Sequence, residues 1–181
     1  MTLSELQALA LHAESYPGDF SCERVPTFAE ALALANGRVT LIVDATKTDD
    51  TAAIVRAIAE AGAIDRVIFD HPDPAVIEAA LAIEPGLRFL VRATTVEDLD
   101  ALLARFAATP PVYVHVEDAP LATMAPAVHA HDQRVFALGF GADVVAGIRG
   151  DTSAYGLLYE EGAQMLQSNR PELLARALGR L

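Results

Sequence analysis

After residue 38 the chain alternates between two textures. Short, largely apolar runs rich in Val, Ile and Phe give way to longer Ala/Leu-rich stretches whose apolar positions recur every three or four residues. The first texture reads as strands buried on both faces, the second as helices with one apolar side. The pattern predicts strands at Val39–Thr46, Arg66–Asp70, Arg88–Ala93, Val112–Glu117, Arg134–Phe140 and Ala163–Ser168, starting 27, 22, 24, 22 and 29 residues apart. That spacing holds a strand, a helix and two turns. Neighbouring strands are therefore expected to run parallel, joined by right-handed helical crossovers.

Helix-start chemistry agrees. Thr2 and Glu5 are spaced for a capping box opening an amphipathic helix over residues 1–14, and Thr27 and Glu30 for another before FAEALALA. Asp49 or Asp50 precedes TAAIVRAIAEAGA, and Asp73 precedes Pro74, which suits the first helical position. Thr95 precedes VEDLDALLARFAA, whose early acids suit the helix dipole. Asp151 is expected to open TSAYGLLYEEG, and Asn169 to cap RPELLARALGRL. Gly139 and Gly141 read as a tight turn after the fifth strand, and His129 and His131 as residues of a helix C-terminus facing its dipole. No Ser/Gly-rich linker interrupts the series, so residues 1–181 read as a single domain.

The fold class is α/β with a parallel sheet. Periodicity does not choose between an open doubly wound sheet and part of a closed barrel. A complete eight-unit barrel takes about 250 residues, or roughly 200 at the low end, so six units fall about two short.

Composition narrows the function classes. With 52% hydrophobic and 21% charged residues the chain can bury a core, and its apolar runs are too short and too interrupted to span a membrane. A net charge of −12, with Lys47 the only lysine, repels nucleic acid and anionic lipid. Cys22 is the lone cysteine, so no internal disulfide forms. The N-terminus carries Glu5 and Glu14 and no early Lys or Arg, unlike a secretory signal. Together these features lead us to expect a cytoplasmic protein.

No P-loop, dinucleotide fingerprint or Gly-x-Ser-x-Gly elbow occurs. The chemistry gathers instead at the C-terminal ends of the predicted strands, where barrel sites form. Those ends carry Asp44, Asp70 with His71, Arg92, and His115 with Glu117. His115 and Glu117 share a strand face with Tyr113. Pointing inward beside Arg92, they are suited to binding an anion or moving a proton; pointing outward, they pack under helices or face solvent.

The order of several segments resembles the glycerophosphodiester phosphodiesterase family. MTLSELQAL resembles its "LTLxEL" helix after the second strand, and ERVPTFAEALALANGRVTLIVDATK its "IPTLEEVL…GKVxLNIELK" segment. DRVIFDHPDPAVIEAAL resembles "drviisSFdpelL", RVFALGF stands where the family has "vxvWTvN", and GAQMLQSNRPELLARAL resembles "GaDgIiTDrPdlL". The resemblance runs from Met1 to about Leu178. It implies a (β/α) barrel of TIM type lacking its first two units, so that the family's upstream "HRG", "ENT" and His motifs would precede Met1.

The family hydrolyses phosphodiesters with a divalent metal and paired His residues. Its third-strand Glu, a metal ligand, is matched by Asp44, which makes Mg or Ca the expected cation. Its Lys two residues later is matched by Thr46, while Lys47 falls on the opposite strand face. The late motifs have also changed, to Phe136, Ala137, Leu138, Gly139 and to Ser168, Asn169, Arg170, Pro171.

The resemblance thus implies a catalytically degenerate protein acting as a binding or interaction module. One alternative is an active phosphodiesterase of lipid metabolism with a rebuilt or dimer-shared site: His71 and His115 catalytic, Arg92 and Glu117 binding substrate, Asp44 holding metal. The other is a non-enzymatic α/β domain in which these residues are structural. A phosphate-ester small molecule is the expected ligand. The open sheet edges of a partial barrel point to a homo-oligomer.

Overall fold

Strand formation follows the apolar runs. In a computed structural model, which describes residues 1–11, 18–116 and 120–180, six strands form: β1 (Leu41–Asp44), β2 (Val67–Asp70), β3 (Phe89–Ala93), β4 (Tyr113–Val116), β5 (Val135–Leu138) and β6 (Met165–Gln167). Each pairs in parallel with the next, in the order β1-β2-β3-β4-β5-β6. A doubly wound sheet reverses direction partway, so this unbroken order decides for barrel topology.

The sheet is curled. Flat, six strands would set β1 and β6 roughly 24 Å apart, at about 4.8 Å per step. Yet Ile42 of β1 and Met165 and Gln167 of β6 line one cavity. The larger core lies between sheet and helices, where Val67, Phe69, Phe89, Val91 and Val114 meet Val55, Ile58, Ile77, Leu99 and Val128. A smaller core inside the curl joins Ile68, Leu90 and Phe136, with Tyr113 and Met165 against them.

The helices are α1 (Leu3–Gln7), α2 (Phe28–Ala35), α3 (Thr51–Glu60), α4 (Pro74–Ile83), α5 (Val96–Arg105), α6 (Leu121–Ala130), α7 (Phe140–Arg149), α8 (Ser153–Glu160) and α9 (Pro171–Ala177). Both capping boxes form, and Asp50, Asp73 and Thr95 cap α3, α4 and α5. Among the described residues no helix is long and apolar enough to cross a membrane.

Five expectations are corrected. The first helix ends at Gln7; Ala10 instead makes an antiparallel bridge with Arg24, and residues 12–17 lie outside the described ones. Phe140 belongs to α7 rather than to a strand, and Gly139 is the N-cap of that helix rather than part of a free turn. The Gly139 N–H donates to the Gln167 carbonyl at 2.8 Å, and a Cβ at Gly139 would come within 3.0 Å of that oxygen. Glycine therefore serves a close backbone approach here.

At α8 the N-cap is Thr152, with Asp151 one residue upstream accepting the Ser153 N–H. At α9 the N-cap is Arg170, whose N–H is taken by the Ser168 hydroxyl, while the Asn169 N–H donates to Asp143.

Candidate functional site

Alternation along parallel strands sends every second side chain into the curl. Ile42 and Asp44 on β1, Ile68 and Asp70 on β2, Leu90 and Arg92 on β3, Tyr113 and His115 on β4, and Phe136 and Leu138 on β5 take that face. Apolar residues fill its lower levels. Register then groups the polar ones: Asp44 stands opposite Asp70, and Arg92 opposite His115. Asp44, Asp70, Arg92 and His115 together line a cavity of about 390 Å³ at the C-terminal ends of the strands, with Phe136 and Phe140 among the apolar walls.

Arg92 organises the charges. Its Nε and Nη2 donate to Asp70 Oδ1 and Oδ2 at 2.9 and 3.0 Å, a two-pronged pair. Asp70 is buried, and the Arg92 side chain is only 14% exposed. Arg92 Nη2 also stands 3.7 Å from Asp44 Oδ2, but the Asp44 side chain is 53% exposed. Partial burial works against the Asp44 charge. The Thr46 hydroxyl and N–H, helped by the charges of Arg92 and Lys47, outweigh it and hold the Asp44 carboxyl below its usual pKa. The His115 ring is buried, with its centroid 4.7 Å from that of Phe136.

Of the residues singled out in the sequence, Asp44, Asp70, Arg92 and His115 thus converge, and His115 takes the inward orientation. His71 does not join them. It lies on the loop between β2 and α4, where its Nδ1 accepts the Asp73 N–H at 3.0 Å. There it supports the entry of α4. Glu117 lies outside the described residues.

The described residues, as they stand, do not fit a divalent cation. Ca²⁺ takes six to eight oxygen ligands and Mg²⁺ an octahedral set. Among the described residues no group of three His, Cys, Asp or Glu side chains is arranged to hold a metal. Both oxygens of Asp70 already accept from a guanidinium.

One polar centre was not singled out in the sequence. Asp143, buried on α7, accepts from the Tyr155 hydroxyl and the Ser168 hydroxyl, each at 2.6 Å, and from the Asn169 N–H at 2.7 Å. Burial, and then the Asp143 carboxylate, push the Tyr155 phenol up to about 12. This latch ties α7 to α8 and to the loop before α9. Its sequence signal is faint, because α7 has no capping side chain and Asp143 reads as an ordinary first-turn acid.

No protein-family model matches the chain, and no curated protein sequence does. Solved structures do. The structure is similar to that of a glycerophosphoryl diester phosphodiesterase from Parabacteroides distasonis, at 20% identity and a TM-score of 0.85, over 98% of this chain and 63% of that one. It is also similar to a glycerophosphodiester phosphodiesterase from Agrobacterium tumefaciens, at 15% identity and a TM-score of 0.72, over 97% of this chain and 71% of that one. The chain thus spans less than two thirds of the Parabacteroides protein's length. Its six parallel units, in unbroken order around an inward-facing site, have the fold of the glycerophosphodiester phosphodiesterases in the form of a partial barrel.

Proposed function

We propose that this chain is a catalytically silent member of that fold, a module that binds a small phosphate ester without hydrolysing it. The observation that carries this reading is the Arg92–Asp70 fork. Hydrolysis needs neutralised charge on phosphorus, an activated water and an acid for the leaving group. Asp70 is committed to Arg92, and the lowered pKa of Asp44 weakens it as a base. Among the described residues His115 is the remaining group for proton transfer at this cavity. Binding asks for less. The Asp44–Arg92 contact, at 3.7 Å, is looser than the Asp70 fork, so a ligand oxygen would compete with Asp44 for that guanidinium nitrogen. The two carboxylates will keep such binding weak.

The test is incubation of the folded chain with glycerophosphodiesters and Mg²⁺, Ca²⁺ or Mn²⁺, against a chelator control, with calorimetric titration in parallel. Saturable binding without chelator-sensitive turnover is expected. Turnover well above the buffer rate would overturn the reading. One observation favours a second reading, an active site rebuilt on this chain: Asp44 and His115 line the same cavity. That reading requires Asp44→Asn to abolish a measurable activity.

A further inference from the structure

Asp44 and Asp70 are register partners on adjacent parallel strands, with side chains on the same face. Their backbones are therefore about 4.8 Å apart. Two carboxylates so placed repel each other unless a cation stands between them. Burial of Asp70 makes the requirement stricter, because an uncompensated buried charge is costly.

The chain supplies that cation itself. Arg92 Nη2 lies 3.0 Å from Asp70 Oδ2 and 3.7 Å from Asp44 Oδ2, so one nitrogen faces an oxygen of each carboxylate. A divalent ion bridging the pair would occupy the same place. The two carboxylates differ in freedom. Asp70 is fixed by the fork, whereas half-exposed Asp44 can swing to close the distance from a guanidinium contact to the shorter metal–oxygen bonds of about 2.0–2.6 Å.

We infer that Arg92 is a built-in substitute for a divalent cation. Its charge offsets the repulsion between Asp44 and Asp70, and by filling the space between them it keeps divalent metals out. Removing its charge frees the two carboxylates to hold a divalent cation whose remaining positions water fills. The inference concerns the cavity of the proposed function, but metal occupancy is measured with no ester present. Turnover without Asp44-dependent metal uptake would sink the functional proposal and leave this one standing.

The experiment is Mn²⁺ titration, by calorimetry and by thermal shift, of the full chain, Arg92→Gln, and Arg92→Gln combined with Asp44→Asn. Arg92→Gln is expected to bind Mn²⁺ at least roughly tenfold more tightly than the unmodified chain, equivalent to about 1.4 kcal/mol. Adding Asp44→Asn is expected to abolish that gain. Equal affinity in the unmodified chain and Arg92→Gln would overturn the inference, as would a gain indifferent to Asp44→Asn. Should Arg92→Gln not fold, the comparison passes to the unmodified chain against Asp44→Asn, an exposed change. Equal Mn²⁺ affinity there supports the inference, and tighter binding that depends on Asp44 overturns it.

Discussion

β1 and β2 are near-copies in sequence, LIVD and VIFD, and they lie side by side in register. All four residues of β2 are buried; those of β1 alternate between half-buried and exposed. The difference reaches the site. Asp70 is enclosed and gripped by two short hydrogen bonds, while Asp44 is half exposed and held to the same arginine at 3.7 Å. The other rim repeats the pattern, since neither β6 nor α9 contains a fully buried residue. Place in the sheet, rather than composition, sets how firmly a strand and its terminal carboxylate are held.

The widest separation between centre and rim is expected from core truncation. Phe69→Ala on β2 removes a wholly buried ring and is expected to cost about 3–5 kcal/mol. Ile42→Ala on β1, where the residue is already 37% exposed, is expected to cost about 1 kcal/mol or less. Urea unfolding of both variants measures the gap, and equal losses would break the comparison.

The ion pair gives the next contrast. Arg92→Leu leaves Asp70 as an uncompensated buried charge and is expected to cost about 3–5 kcal/mol at neutral pH. Asp44→Asn touches only the exposed arm and is expected to change stability by less than about 1 kcal/mol.

At the far rim, Asp143→Ala strands a buried phenol, a hydroxyl and a backbone N–H. An expected loss of about 1–3 kcal/mol follows from the unsatisfied donors. The Tyr155 phenol should also titrate closer to 10, read by ultraviolet absorbance; an unmoved titration would assign its shift to burial alone. Smaller still, Thr27→Ala removes a capping-box oxygen and is expected to cost about 1 kcal/mol. Thr152→Ala removes no side-chain cap bond and is expected to be near neutral.

The least effect is with pH. The folded pKa of Asp44 lies below its unfolded value, so its contribution is present above the unfolded value of about 3.9 and is lost as pH falls through the folded one. Because Asp44 is half exposed, the loss on acidification should be small. Comparing the unmodified chain with Asp44→Asn across that window isolates it.

The sequence by itself determined the elements, their parallel direction and most of their starts. Apolar period and capping chemistry act over a few residues and are written locally. The six strands fall inside their predicted spans, and the Thr27, Asp50, Asp73 and Thr95 caps form as their spacing requires. It also placed Asp44, Asp70, Arg92 and His115 at strand ends, because alternation fixes which residues share a face. What only the tertiary structure decided is which partners those side chains find. Strand register put Asp70 beside Asp44, and the curl brought Arg92 across to both. The turn after β2 drew His71 away to the start of α4, and the packing of α7 gave Asp143 its three donors. These are contacts between residues more than ten positions apart, or choices between faces at a loop, and no local pattern encodes them. For the same reason LIVD and VIFD, so alike as segments, are an open rim and a sealed interior strand once the sheet has formed.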